Sequence, residues 1–153
     1  MGLLDSLLSG GANKALRKPK KIQHRGKPLA EILKAHELHF GGKPGGVRAD
    51  LRNTDMTEAM LPGADLSEAQ ASGVEFFRCD LSNANFSRAN LRNANFRNAN
   101  IKGAQFAGAD MGVAILRETS LDGVDLSGVD LTTTLMPRGY QPIAGGAAQG
   151  QKH

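Results

Sequence analysis

The sequence predicts an all-β solenoid, a chain wound into a coil that turns a corner every five residues, with a short α-helical cap at its amino end. Three observations predict it. From Leu51 to Met136 every fifth residue is apolar, eighteen positions without an exception. The residue two before each of these is small: alanine in most copies, and Thr54, Val74, Cys79, Thr119, Val124, Val129 and Thr134 in the others. Finally, a period of five fits neither the 3.6-residue helix nor the two-residue strand, so no regular element gathers these side chains on one face. A coil with a corner every five residues sends every central Leu, Ile, Met or Phe inward.

The stretches ADLSE, ANFSR, ANLRN, ANFRN and VDLSG are similar to the A(D/N)LXX unit of pentapeptide-repeat proteins, in one unbroken frame over residues 49–138. That resemblance implies a right-handed quadrilateral β-helix with four pentapeptides per coil and about four and a half coils. At the roughly 4.8 Å spacing of hydrogen-bonded strands the rod would be about 22 Å long. The resemblance also implies that the central and small residues face inward and the other three outward. The segment LKAHELHFGGKPGGVRADL is similar to leaders of some bacterial members, with His39 where a Trp is more usual.

Packing physics agrees with that reading. Each fully buried Leu or Phe contributes about 1.5–3 kcal/mol, and stacked repeats share a core that no single coil could bury alone. Ala71 is the one undersized plug, so a shallow packing defect is expected in the second coil. Cys79 takes an inward small-residue slot and is expected to be a buried, inert thiol. Asn85, Asn90, Asn95 and Asn100 walk round one coil, where their side chains are expected to bond nearby backbone at turns.

The flanks differ in kind. Residues 1–48 carry ten basic and three acidic side chains (+7), residues 49–138 carry eight and twelve (−4), and Lys152 completes the net +4. Residues 1–27 read as a flexible basic leader with an amphipathic start. Residues 28–48 follow as a helical cap and a Gly-rich linker: Leu29, Ile32, Leu33, His36 and Phe40 fall at helical spacing over about 28–39, with Pro28 suited to a first turn and GGKPGG as the break. The repeats occupy 49–138. The tail 139–153, ending AGGAAQGQKH, is expected to be disordered. His36 and His39 lie three apart, but no further Cys, His or carboxylate cluster completes a metal site. A single cysteine forms no internal disulfide, no run approaches the roughly 18 apolar residues of a membrane span, and the first basic residue is Lys14. The expected location is therefore the cytoplasm, with the inner membrane face as an alternative.

Function is expected in the outward positions. With twenty residues per coil, one face collects Asp55, Glu75, Asn95, Ile115 and Leu135 before the central position and Thr57, Phe77, Arg97, Arg117 and Pro137 after it. Phe77, Ile115 and Leu135 are apolar where the repeat expects polar residues, and Val113 joins them from the neighbouring corner. Phe77, Arg97, Val113, Ile115, Arg117 and Leu135 are thus the candidate interaction surface, unless the tail from Gly139 folds back over Ile115 and Leu135. The second candidate is a membrane or polyanion contact through Leu3, Leu4, Leu7 and Leu8 with Lys14, Arg17, Lys18, Lys20 and Lys21.

No Ser/His/Asp set, phosphate loop or metal cluster is visible, so neither catalysis nor a cofactor is expected. The expected function is a protein-binding scaffold, with a second copy of the chain among the partners considered and a peripheral membrane adaptor as an alternative. The resemblance offers DNA gyrase as a partner, since some members mimic duplex DNA. Mimicry needs a strongly negative surface, whereas this repeat region is only −4 and is interrupted by Arg78, Arg88, Arg92, Arg97, Lys102 and Arg117. Basic residues without interleaved aromatics would bind nucleic acid only non-specifically.

Overall fold

The five-residue period becomes a twenty-residue coil. In the computed structural model, which describes residues 17–141, residues just before the central positions pair in parallel with those twenty further on, from Asp50 to Asn95 without a gap and again at Gln105 and Ile115. Asp50 pairs with Gln70, Asp55 with Glu75, Met60 with Asp80 and Asp65 with Asn85, and the ladders continue to Ile115 with Leu135. Four pentapeptides therefore complete one turn of the coil. The ladder bonds are of ordinary length: Leu51 N–H donates to the Gln70 carbonyl at 2.7 Å, and Gln70 N–H returns to Ala49 at 3.0 Å.

Each corner has the same local chemistry. The carbonyl of a central residue accepts the N–H three residues on, as Leu51 does from Thr54 (3.0 Å) and Phe86 from Ala89 (3.0 Å). The third residue of the turn has positive φ in copy after copy, for example Asn53 (61°), Gly73 (68°), Asn83 (57°) and Gly123 (67°). That is the requirement of a type II turn, met most cheaply by Gly or Asn. The Asp or Asn before the centre braces the corner, as expected of the Asn run. Asn85 Oδ1 accepts the Ser87 N–H at 2.9 Å, and Asn90, Asn95 and Asn100 do the same for Arg92, Arg97 and Lys102.

Sixteen of the eighteen central residues are buried, together with every small residue two before them; Leu131 and Met136, in the last coil, are half-buried. Ala71 is fully enclosed in the column of Leu51 and Leu91. Four phenylalanines organise the middle of the axis. Phe76 stacks on Phe96 (4.8 Å) and Phe86 on Phe106 (5.1 Å), while Phe86 meets Phe76 and Phe96 edge-on at 5.5 and 5.6 Å. Offset stacks crossed by edge contacts suit the aromatic quadrupole. Cys79 Sγ donates to the Met56 carbonyl (2.8 Å), and burial pushes its pKa up to about 12, so this thiol is inert.

The amino-terminal flank is built onto the first coil. Arg17, expected in a flexible leader, pairs in parallel with Ala59, its N–H donating to the Glu58 carbonyl and its own carbonyl accepting from Met60 (2.8 Å). A 3-10 turn over Pro19–Lys21 follows, then a hairpin of β1 (Gln23–His24) and β2 (Lys27–Pro28). Helix α1, Leu29–Phe40, comes next. Its Leu29 and Leu33 join the core of the repeats, and Ile32 packs against it. Phe40, grouped with that face by spacing, is 42% exposed and meets His36 edge-on. The linker folds back along α1, its Val47 N–H donating to Ala35, and a Cβ at Gly46 would collide with the backbone of His39.

His36 joins helix to coil. It is fully buried, and its Nδ1 accepts the N–H of Ala49, the first small residue of the repeats, at 2.9 Å. His39 is exposed, so the two histidines do not converge.

Two outcomes test this account. Phe86→Ala should cost about 3–5 kcal/mol in urea unfolding, because its ring touches three others; a loss below about 1 kcal/mol would refute the shared aromatic core. Burial, chiefly, holds His36 and His24 below the ordinary histidine value of 6.5. A folded-state pKa below the unfolded one gives stability that is present above about pH 6.5 and is lost as pH falls through and below it. The Tm should therefore drop between about pH 7.5 and 5, ahead of carboxylate titration. His36→Asn, which keeps an acceptor for Ala49, should flatten part of that slope; an unchanged slope would clear His36.

Candidate interaction surface

An outward side chain on this coil belongs to one of four faces, because the backbone ladder repeats every twenty residues. The column before the centre on one face runs Asp55, Glu75, Asn95, Ile115 and Leu135, paired in that order. Ile115 is half-buried and Leu135 is 41% exposed. Val113 stands at the adjoining corner, 47% exposed, with its N–H donating to Thr133 Oγ1 at 3.1 Å. These three make one apolar corner at the carboxyl end of the face. Phe77, grouped with them by sequence, stands two coils away, half-buried, with the Arg78 guanidinium 5.1 Å from its ring centroid.

Arg97 lies between. Its guanidinium donates to both carboxylate oxygens of Glu118 (2.9 and 3.0 Å), which holds the Glu118 carboxyl below its ordinary range. Arg117, beside Ile115 and past the central Leu116, is exposed, and no ion pair among the described residues holds it. Glu75 accepts from Asn95 Nδ2 at 2.9 Å, which fixes the carboxylate over the face.

Val113 has a second distinction. Its φ is +59°, at the corner position where the other copies with positive φ place Gly, Asn or a long unbranched polar side chain. A β-branched residue in this region is a genuine outlier, at a cost of about 1–2 kcal/mol. Sequence reasoning found Val113 by its place in the pattern; the strain follows from the turn type, which the preference for Gly and Asn at this position already signals.

The described part of the tail does not cover this corner. Tyr140 packs against the core, and Pro137–Tyr140 line a notch with Thr119–Asp122, on the side of the coil that follows. Residues 142–153 lie outside the described residues.

Of the second candidate set, Leu3, Leu4, Leu7, Leu8 and Lys14 lie outside the described residues. Arg17 is corrected: its guanidinium donates to the carbonyls of Thr57 (2.8 Å) and Asp55 (3.1 Å), so it serves the coil rather than a free polyanion contact. Lys18 is half-buried, Lys20 lies in the 3-10 turn and Lys21 is exposed. Among the described residues no helix is long and apolar enough to cross a membrane.

Replacing Val113 with Asn, the residue one coil earlier at this corner, should relieve the turn and raise Tm by a few degrees, from about 1 kcal/mol. A lower Tm would show that the valine stabilises the coil in place.

The comparisons agree with this architecture. The chain is 30% identical to a pentapeptide repeat protein of the Arabidopsis thaliana thylakoid lumen, with a TM-score of 0.55, over 57% of this chain and 61% of that one. The present chain thus spans under two thirds of that relative. A pentapeptide repeat protein from Nostoc PCC 7120 aligns with a TM-score of 0.59 at 23% identity, over 71% of this chain and 86% of that one. QnrB1, a plasmid-mediated fluoroquinolone resistance protein, aligns at 19% identity with a TM-score of 0.42, over 68% and 74% of the two chains. No curated protein matches the chain. The pentapeptide-repeat family model matches residues 47–76, 75–112 and 108–132, more than half of the sequence. This chain belongs to the pentapeptide-repeat family and shares its right-handed β-helix.

Proposed function

We propose that this protein is a non-catalytic interaction module whose coil presents the corner of Val113, Ile115 and Leu135, with Arg97, Arg117 and Phe77 on the same face, to a protein partner. The observation that carries this reading is Val113: a branched apolar side chain kept half-exposed in a backbone conformation that disfavours it. Strain of that kind persists where the side chain has a use. The interior supports the same reading, because its inward positions are filled by packed side chains and the outward ones are left to carry information. Helix α1 and the hairpin before it close the amino-terminal end of the coil in this proposal, as solenoid ends require.

The test is photo-crosslinking in the cells that make the protein. A photoreactive phenylalanine analogue at position 113 should give discrete adducts, while the same group at position 87, on another face, should give none. Adducts from position 87 alone, or from neither site, would remove this corner as the binding surface.

A further inference from the structure

We infer that this face is shaped for a second copy of the chain, docked antiparallel across a twofold axis that passes beside Asn95. The inference rests on the interaction face proposed above and names its occupant.

The charges along the face change sign from end to end. Ion pairs within the chain already neutralise several of them: Arg17 with Asp55 (3.7 Å), Arg78 with Glu58 (3.9 Å), and Arg97 with Glu118. Glu75 toward the amino end, and Arg117 and Arg138 toward the carboxyl end, belong to no ion pair among the described residues. Two copies laid side by side in the same direction bring Glu75 level with Glu75 and Arg117 level with Arg117, which repel. Reversal about Asn95 exchanges the second and fourth coils instead. Glu75 and Phe77 of one copy then come level with Ile115 and Arg117 of the other, and symmetry makes each contact twice.

Glu75, Phe77, Ile115 and Arg117 find partners in that register. Arg117 gains a carboxylate already held in place by Asn95, together with an aromatic face. Ile115 gains the ring of Phe77. Val113, at the corner, comes level with Gly73, which has no side chain to meet it. Asn95 meets Asn95, and the two Arg97 side chains at the axis are each neutralised by their own Glu118. One face of a rod about 22 Å long is small beside the roughly 800 Å² per partner of a standard interface, so the association is weak and concentration-dependent.

Sedimentation equilibrium of the full chain, from about 1 μM to about 1 mM, reads this directly. The mass should rise from 16.2 kDa toward twice that value. Glu75→Arg and Arg117→Glu, both exposed changes on a fold checked by circular dichroism, should each weaken association at least about tenfold. Their equimolar mixture should dimerise again, because the charge introduced at position 75 then faces the opposite charge introduced at position 117, while the retained Arg117 faces the retained Glu75. A wild type that stays at 16.2 kDa throughout overturns the dimer, as does a mixture no stronger than its components. Neither result touches the interaction face itself, which stands or falls with the adducts from position 113: an adduct of twice the chain's mass identifies a second copy, and any other mass a different partner.

Discussion

The corner turn is the constraint from which the rest of this protein follows. From Asn53 to Gly128 every corner places a residue with positive φ two after the central side chain, and nearly every corner accepts one N–H across the turn. Four such corners close a coil, the coil sets the parallel ladder, and the ladder places every inward side chain above another twenty residues away. The aromatic stacks of Phe76 on Phe96 and Phe86 on Phe106 are consequences of that vertical register rather than separate devices. The outward columns inherit the same register, which is why charges far apart in sequence, such as Glu68 and Arg88 (2.7 Å), become neighbours.

The interior was legible in the sequence because its demands are strict. Only an apolar side chain suits the axis and only a small one fits beside it, so Leu51 through Met136 could be read by counting. Helix α1 was legible for a similar reason: Leu29, Leu33 and His36 return at helical spacing. Phe40 was misgrouped because spacing alone does not show that the helix ends there, with its ring beyond the edge of the coil. Arg17 was read as part of a free leader because the contact that orders it is made by backbone, and a parallel bridge to Ala59 leaves no periodic trace in side-chain type.

The outward face was legible in part. Val113, Ile115 and Leu135 emerged from the twenty-residue fold of the sequence, and the coil does gather them. Phe77 was grouped with them by chemistry, yet two coils separate it from Ile115, and only a partner could join them. Pairing also depended on geometry: neither the Arg97 to Glu118 fork nor the Asn95 hold on Glu75 is visible before the columns are stacked. Those contacts decide which charges on the face are left unpaired.

The last coil is joined to the one before it by parallel bridges on two sides only. Parallel pairing reaches Asp125 and Leu135, but among the described residues it stops at Asn100 and Asp110 on the other two sides. In a stack whose members touch only their neighbours, the member with half its rungs opens first. Unwinding of this rod is thus directional, starting beside Leu131 and Met136 and running toward the amino-terminal coils. The apolar corner lies at the end that loosens, so anything that grips Val113 and Leu135 also clamps the weakest seam of the coil.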